Sequence, residues 1–170
     1  KYAVTFCFMQ AALWAQTDHG PGEHARHMDA ASYAKHLDDP KREEWQKPHA
    51  VITALAIGPD EVVADIGAGT GYFSRRVAHH GKQVYAVDIE PKLLERLRSD
   101  KPSNVEIVVA EPGDPKLPAK SVDTAFFCNV LHHIENRPAY LKKLSSAIKP
   151  NGRIVIIDSD TMLGEHSLKC

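Results

Sequence analysis

The chain has 170 residues, 43% of them hydrophobic and 25% charged, with 21 basic against 22 acidic side chains and a formal charge of -1. That length and composition fit one globular domain with a sizeable core, and the charge balance lacks the basic excess with which a chain holds nucleic-acid phosphates. Three cysteines, Cys7, Cys128 and Cys170, match neither a disulfide framework nor a metal-ligand spacing, so no metal site is expected.

At the start, one lysine and then V-T-F-C-F-M-Q-A-A-L-W-A resemble the end of a secretory signal peptide cleaved near Ala15. Gln10 interrupts the apolar run and Leu13 is large for its place, so an ordinary N-terminal helix or a cloning remnant stands as the alternative. No other stretch approaches the length of a membrane span. Residues 17–28, with His19, His24 and His27 among glycine, proline and acids, read as a polar linker, and solvated histidines are a plainer reading than a metal tract. Asp39 is placed to cap a helix with Pro40 at its first position and Glu43 and Glu44 in its first turn, and Trp45 falls on it. Pro48 opens a second helix with Val51, Ile52 and Leu55 on its apolar face, ended by Gly58-Pro59-Asp60.

Residues 61–71, E-V-V-A-D-I-G-A-G-T-G, organise the rest of the chain. Val62, Val63 and Ala64 make a short apolar run of the buried parallel-strand kind, and alternate glycines then forbid its continuation. Gly67, Gly69 and Gly71 let the backbone turn sharply and approach a ligand, while residues 72–80 read as a helix whose N-terminal amides face the same spot. Asp65 stands two residues before the first glycine, and Asp88 closes a second apolar strand over residues 84–87. An acid at that strand end accepts both hydroxyls of a ribose. A helix from Pro91, a strand over residues 105–109, a strand over residues 122–128, a helix from Pro138 and a strand over residues 153–158 continue the alternation. Cys128, ending an apolar strand, is expected to be a buried small hydrophobe. The pairs Arg75-Arg76 and Lys142-Lys143 read as solvated helix faces.

D-I-G-A-G-T-G, the strand end V-D-I, N-V-L-H-H-I and K-P-N-G-R-I-V-I-I-D together resemble the class I S-adenosylmethionine-dependent methyltransferases, of the small-molecule UbiE/type 11-like group, over about residues 45–158. The resemblance implies an α/β, Rossmann-like doubly wound parallel sheet in the order 3-2-1-4-5. It also implies S-adenosyl-L-methionine as cofactor, with S-adenosyl-L-homocysteine as product. Asp65 and the Gly67 backbone would hold the amino end of the methionine moiety, with Ala68, Gly69 and Gly71 completing the cradle. Asp88 would take the ribose hydroxyls, Ile89 one adenine face, Glu111 or Asp114 the adenine edge, and the Asn129 backbone would approach the methionine part. The segment before the first strand often closes the site in this family. Tyr33, Arg42, Trp45 and Lys47 are therefore lid candidates, although core is the favoured reading for Trp45. The antiparallel hairpin that usually ends the fold has no counterpart, as if the chain were truncated after the fifth strand. That strand is then expected as an exposed edge, open to homodimer pairing unless the tail covers it.

In such a reaction the protein mainly positions a nucleophile, with proximity and orientation worth several kcal/mol. A general base is needed only for an acceptor that arrives protonated. His132 and His133 are the candidates, set against the plainer reading that one packs and the other faces solvent. A small-molecule acceptor is expected, without nucleic acid. The alternatives are a degenerate cofactor-binding domain without turnover and an NAD-type oxidoreductase domain. The expected organisation is a signal remnant and linker over residues 1–28, then one domain over residues 29–170, with a helical cap at 29–58 and a cofactor core at 59–158. Cofactor supply points to the cytoplasm, a signal peptide to the periplasm or secretion.

Overall fold

A computed structural model describes residues 4–6 and 29–158. The linker with its histidines, the sites of Cys7 and Cys170, and the tail lie outside the described residues. The strands are β1 (Val4–Phe6), β2 (Val62–Ile66), β3 (Gln83–Asp88), β4 (Val105–Val109), β5 (Val122–Cys128) and β6 (Ile148–Ile157). The helices are α1 (Ala30–Leu37), α2 (Arg42–Gln46), α3 (Pro48–Leu55), α4 (Tyr72–Val77), α5 (Pro91–Arg98) and α6 (Arg137–Ala147), with a 3-10 turn at Leu131–His133.

All strand pairings are parallel, in the order β1-β6-β5-β2-β3-β4. Strands β2 to β6 thus realise the expected 3-2-1-4-5 arrangement, with α4, α5 and α6 as crossovers. Side chains alternate across the sheet, so neighbouring residues feed different cores. Val63, Val84 and Phe126 face α3, α4 and α5, joining Val51, Phe73 and Leu94. Ala64, Tyr85 and Phe127 face the other way and join Tyr140 and Leu144 of α6. Edge-on ring contacts mark both layers: Phe73 meets Phe126 at 5.3 Å, and Phe127 meets Tyr140 at 6.4 Å between centroids. With helices on both faces, the central strands are apolar on both sides, which explains their near-continuous hydrophobic runs.

The amino ends of the strands are tied by Glu61. Its carboxylate accepts from Arg153 at 3.0 and 3.2 Å and from Thr124 Oγ1 at 2.9 Å, while Arg153 also reaches the Leu55 carbonyl at 3.0 Å. This fork joins α3, β2, β5 and β6 at the end of the sheet opposite the glycine turn.

Three expectations need correction. The edge of β6 is not bare: Val4, Thr5 and Phe6 run alongside Ile154, Val155 and Ile156. An extended segment there satisfies backbone groups of β6 that the sequence reading left exposed. Trp45 is not core but 58% exposed, because the buried side of the short helix α2 is carried by Gln46. That helix begins at Arg42 rather than Pro40. Asp39 caps a preceding turn by accepting from the Lys41 amide at 2.9 Å, while an additional helix, α1, is capped by Asp29. Among the described residues no helix is long and apolar enough to cross a membrane.

Gly71 has φ +87°, and a Cβ there would lie 2.5 Å from Leu97 Cδ1 and 2.9 Å from Cδ2. Gly71→Ala is expected to cost roughly 2 to 4 kcal/mol by combining left-handed strain with overpacking against α5. Urea unfolding should show this as a lower midpoint at unchanged slope.

Candidate functional site

At the carboxyl end of β2 the chain leaves the sheet through three residues with positive φ, Gly67 (+73°), Gly69 (+56°) and Gly71 (+87°). The amides of Gly67 and Ala68 both donate to the Val87 carbonyl, at 2.8 and 3.0 Å, which folds the turn back over β3. A Cβ on Gly67 would collide with Val130, and one on Gly69 would touch Leu37 Cδ1 of α1 at 3.0 Å. The turn is therefore closed in by the β5 loop on one side and by α1 on the other. Within it, Thr70 is buried and its Oγ1 has no hydrogen-bond partner among the described residues. A buried hydroxyl left unmatched is costly, and one inside a glycine cradle suits a polar ligand.

Asp65 lies beneath this turn, fully buried, accepting a hydrogen bond from Ser74 Oγ at 2.6 Å. Burial pushes its carboxyl up to about 6, the Ser74 hydrogen bond opposes this, and the Asp88 charge adds to it. Asp88, one strand over, accepts from the Gly69 amide at 2.7 Å and the Glu90 amide at 2.9 Å. Its carboxyl too is raised, chiefly by burial and against those backbone hydrogen bonds. Two acids thus converge at the carboxyl ends of neighbouring strands, where open α/β sheets bind ligands. Ile89, just beyond β3, is 56% exposed and offers an apolar face beside them.

Glu111 and Asp114 are held in one small turn by reciprocal backbone hydrogen bonds of 3.0 Å. Both side chains meet lysines there. Glu111 pairs with Lys116 at 3.0 Å, and Asp114 with Lys143 of α6 at 3.2 Å and Lys116 at 3.8 Å. Asn129 leaves β5 in the left-handed region, φ +54°, with its amide donating to the Ile157 carbonyl at 2.8 Å. His132 pairs through Nδ1 with Asp158, while His133 is exposed and its ring lies 4.0 Å from that of His132.

Sequence reasoning missed Gln46 and Ser74. Gln46, buried on α2, donates to Cys128 Sγ at 3.1 Å and accepts from Asn129 Nδ2 at 3.3 Å, binding the helical segment to the end of β5. A glutamine on a short charged helix carries no signal for this. Cys128 is buried as expected, its thiol pushed up to about 12 by burial. Arg75 and Arg76 are more than solvated faces: Arg75 bonds the Thr70 carbonyl at 2.7 Å and pairs with Asp100, and Arg76 pairs with Glu43. Tyr72 is stacked between the Arg42 and Arg76 guanidinium groups, at 4.1 and 3.9 Å from its centroid. Lys47, by contrast, is exposed at a left-handed bend between α2 and α3. Tyr33 of α1 has its phenol pushed up by burial first and then by the Asp88 charge.

Residues 64–156, just over half of the chain, match a family described as methyltransferase domain. A demethylmenaquinone methyltransferase of Tropheryma whipplei (strain Twist) is 32% identical over 116 residues, covering 67% of this chain and 47% of the relative. A tRNA U34 carboxymethyltransferase of Ruthia magnifica subsp. Calyptogena magnifica is 31% identical over 122 residues, covering 66% and 38%. This chain thus spans less than half the length of either relative. The crystal structure of a SAM-dependent methyltransferase from Aquifex aeolicus superposes with a TM-score of 0.70 at 28% identity, covering 77% of this chain and 73% of that one. With residues 64–156 matching that family and these relatives beside it, the chain belongs to the class I S-adenosylmethionine-dependent methyltransferases.

Proposed function

We propose that this protein transfers the methyl group of S-adenosylmethionine to a small-molecule acceptor. The observation that carries the reading is the buried Asp65 carboxyl beneath the glycine turn, one strand from Asp88. An ionised acid in that position favours a cationic ligand and repels the diphosphate of a nicotinamide dinucleotide. S-adenosylmethionine supplies an electrophilic methyl carbon on a sulfonium.

The chain's own residues bind and orient. Asp65, held by Ser74, and the Gly67 backbone take the ammonium end of the ligand, with Ala68, Gly69 and Gly71 giving the close approach. Thr70 Oγ1 is available for a polar group of the same moiety. Asp88 takes the ribose hydroxyls, at present matched by the Gly69 and Glu90 amides, and Ile89 lies on the adenine. Glu111 is the better of the two acids for the adenine edge. It follows Ala110, whose amide donates to the Asp88 carbonyl at 2.8 Å, whereas Asp114 is drawn toward α6 by Lys143. The Asn129 backbone borders the methionine part. Leu37 of α1 covers the turn, and Arg42 and Gln46 fasten the cover to α4 and β5. The near-neutral overall charge supports a small acceptor over a polyanion.

Titration of the folded chain with S-adenosylhomocysteine in a calorimeter, with NAD as control, tests the reading. Micromolar binding of the former alone is expected, and equal or better binding of NAD would sink it. Asp88→Ala should weaken S-adenosylhomocysteine by about 10- to 150-fold, the equivalent of about 1.5 to 3 kcal/mol for hydrogen bonds to a charged group.

Asp65 adds a pH dependence. Its folded value near 6 stands above the ordinary 3.8, so the native state holds the extra proton between those values. Stability therefore falls as pH rises through that window, by up to roughly 3 kcal/mol from this group. Binding of an ammonium group reverses the preference and expels the proton. Affinity for S-adenosylhomocysteine is expected to rise about tenfold from pH 5 to pH 7 with proton release on binding at the acid end. In Asp65→Asn the affinity is weaker and this pH dependence is lost.

A further inference from the structure

We infer that the cleft between α3 and α4, on the face of the sheet opposite α6, holds a phosphate group in a site separate from the glycine cradle and independent of the methyl-transfer reading. The cavity measures about 170 Å³ and is lined by Pro48, His49 and Ile52 of α3, by Arg76 of α4, and by His79 and His80 just beyond the end of α4. Four of these side chains carry N–H donors, and none is an acid. The rings of His49, His79 and His80 make no hydrogen bond or ion pair within the described residues. An imidazole keeps at least one N–H whether neutral or charged, so all three are donors without a protein acceptor there.

Arg76 supplies the fixed charge. Its guanidinium donates to the Tyr72 carbonyl at 2.7 Å, stacks 3.9 Å from the Tyr72 ring centroid and pairs with Glu43. Stacking and the backbone bond hold the plane in one orientation, as fork-like recognition of an oxyanion requires, and N–H groups beyond those two bonds remain. The Glu43 pair is a surface one, with the acid 57% exposed, and such a pair is weak competition for an oxyanion that also gathers imidazole donors. Helix ends add to the field. Pro48 and His49 are the first residues of α3, which has no side-chain cap, so its positive end lies at the cavity wall. At the far end of α4 the Arg76, Val77 and Ala78 carbonyls accept from the His79 and His80 amides and from Asn104 Nδ2, which blunts the negative end of that helix.

These donors select the class of ligand. A metal cation is opposed by the guanidinium, and among the described residues no three His, Cys, Asp or Glu side chains are arranged to hold one. A carboxylate is planar and is satisfied by the guanidinium fork alone. Donors from two helices around a space of several waters suit a tetrahedral group with oxygens on every side. Pro48 and Ile52 leave an apolar wall beside them, where the organic part of a phosphate monoester finds contact that the free ion lacks. Each methylene buried there is worth about fourfold in affinity.

Ring proton–carbon NMR of the full chain at pH 7 and constant ionic strength tests the site, with inorganic phosphate, ethyl phosphate and chloride as titrants. The His49, His79 and His80 signals are expected to follow one saturating curve with either phosphate and to ignore chloride, while the other histidines stay in place. Tighter binding of ethyl phosphate assigns the group to a monoester, and equal affinity assigns it to the free ion. Arg76→Lys keeps the charge but loses the fork, and should weaken both phosphates about tenfold. Glu43→Gln removes the competing acid and should tighten both about two- to fivefold. Because Arg76 also braces Tyr72, the double variant His79→Gln/His80→Gln gives a second reading at exposed positions, with an expected loss of about five- to tenfold at an unchanged urea midpoint. The inference is overturned if the three rings shift without saturating, if all histidines shift alike, or if that double variant binds as well as the parent. Saturation by zinc ions with no response to phosphate overturns it too, since the cleft is then a metal site.

Discussion

A carboxylate placed out of water at the end of the central strand is expensive, and much of the ligand-binding edge can be understood as the means of tolerating Asp65. Burial pushes its carboxyl up to about 6 despite a 2.6 Å hydrogen bond from Ser74. Fixing Ser74 in turn requires α4 to start immediately after the glycine turn, and that start requires Gly71 in the left-handed region against Leu97. The charge of the cationic Arg42 relieves the acid, and Arg42 is held by Tyr72, Gln46 and the Leu37 carbonyl. Remove the acid and these features lose their common purpose.

Much of this could be read in the sequence. Alternating apolar strands and proline-led helices pointed to the doubly wound order, because a parallel sheet covered on both faces writes itself as hydrophobic runs between turn signals. The glycine turn and the acids at 65 and 88 were legible because each is demanded by backbone geometry close in sequence. What escaped depends on contacts between distant parts of the chain. Gln46 and Cys128 are 82 residues apart, Arg153 and Glu61 92, and His132 and Asp158 26, and no local pattern tells which of these residues will meet. Trp45 failed for a related reason. Five residues of helix are too few to define a face, and the buried position went to the amide that the end of β5 needed rather than to the larger ring. The short strand at residues 4–6 escaped because its apolar run serves equally for export, helix or strand.

The two halves of the edge have different physical characters. Toward β3 it is acidic, with Asp65 and Asp88 both resisting ionisation through burial. Toward β6 it holds a histidine and an acid already in contact. Between them lies the end of β5, where the Cys128 thiol and the Asn129 side-chain amide are occupied by Gln46.

The contact between Gly67 and Val130 joins those halves mechanically. Val130 occupies the volume that any side chain at position 67 would claim, while Gly67 itself sits at φ +73°. Neither position can drift alone: growth at 67 demands shrinkage at 130, and a smaller residue at 130 opens a void under the turn. Over evolutionary time the cradle and the loop bearing the histidines would therefore be inherited as one linked block. New acceptor specificities would have to come from the cover and from the exposed ends of the strands, which are free to vary without breaking this lock.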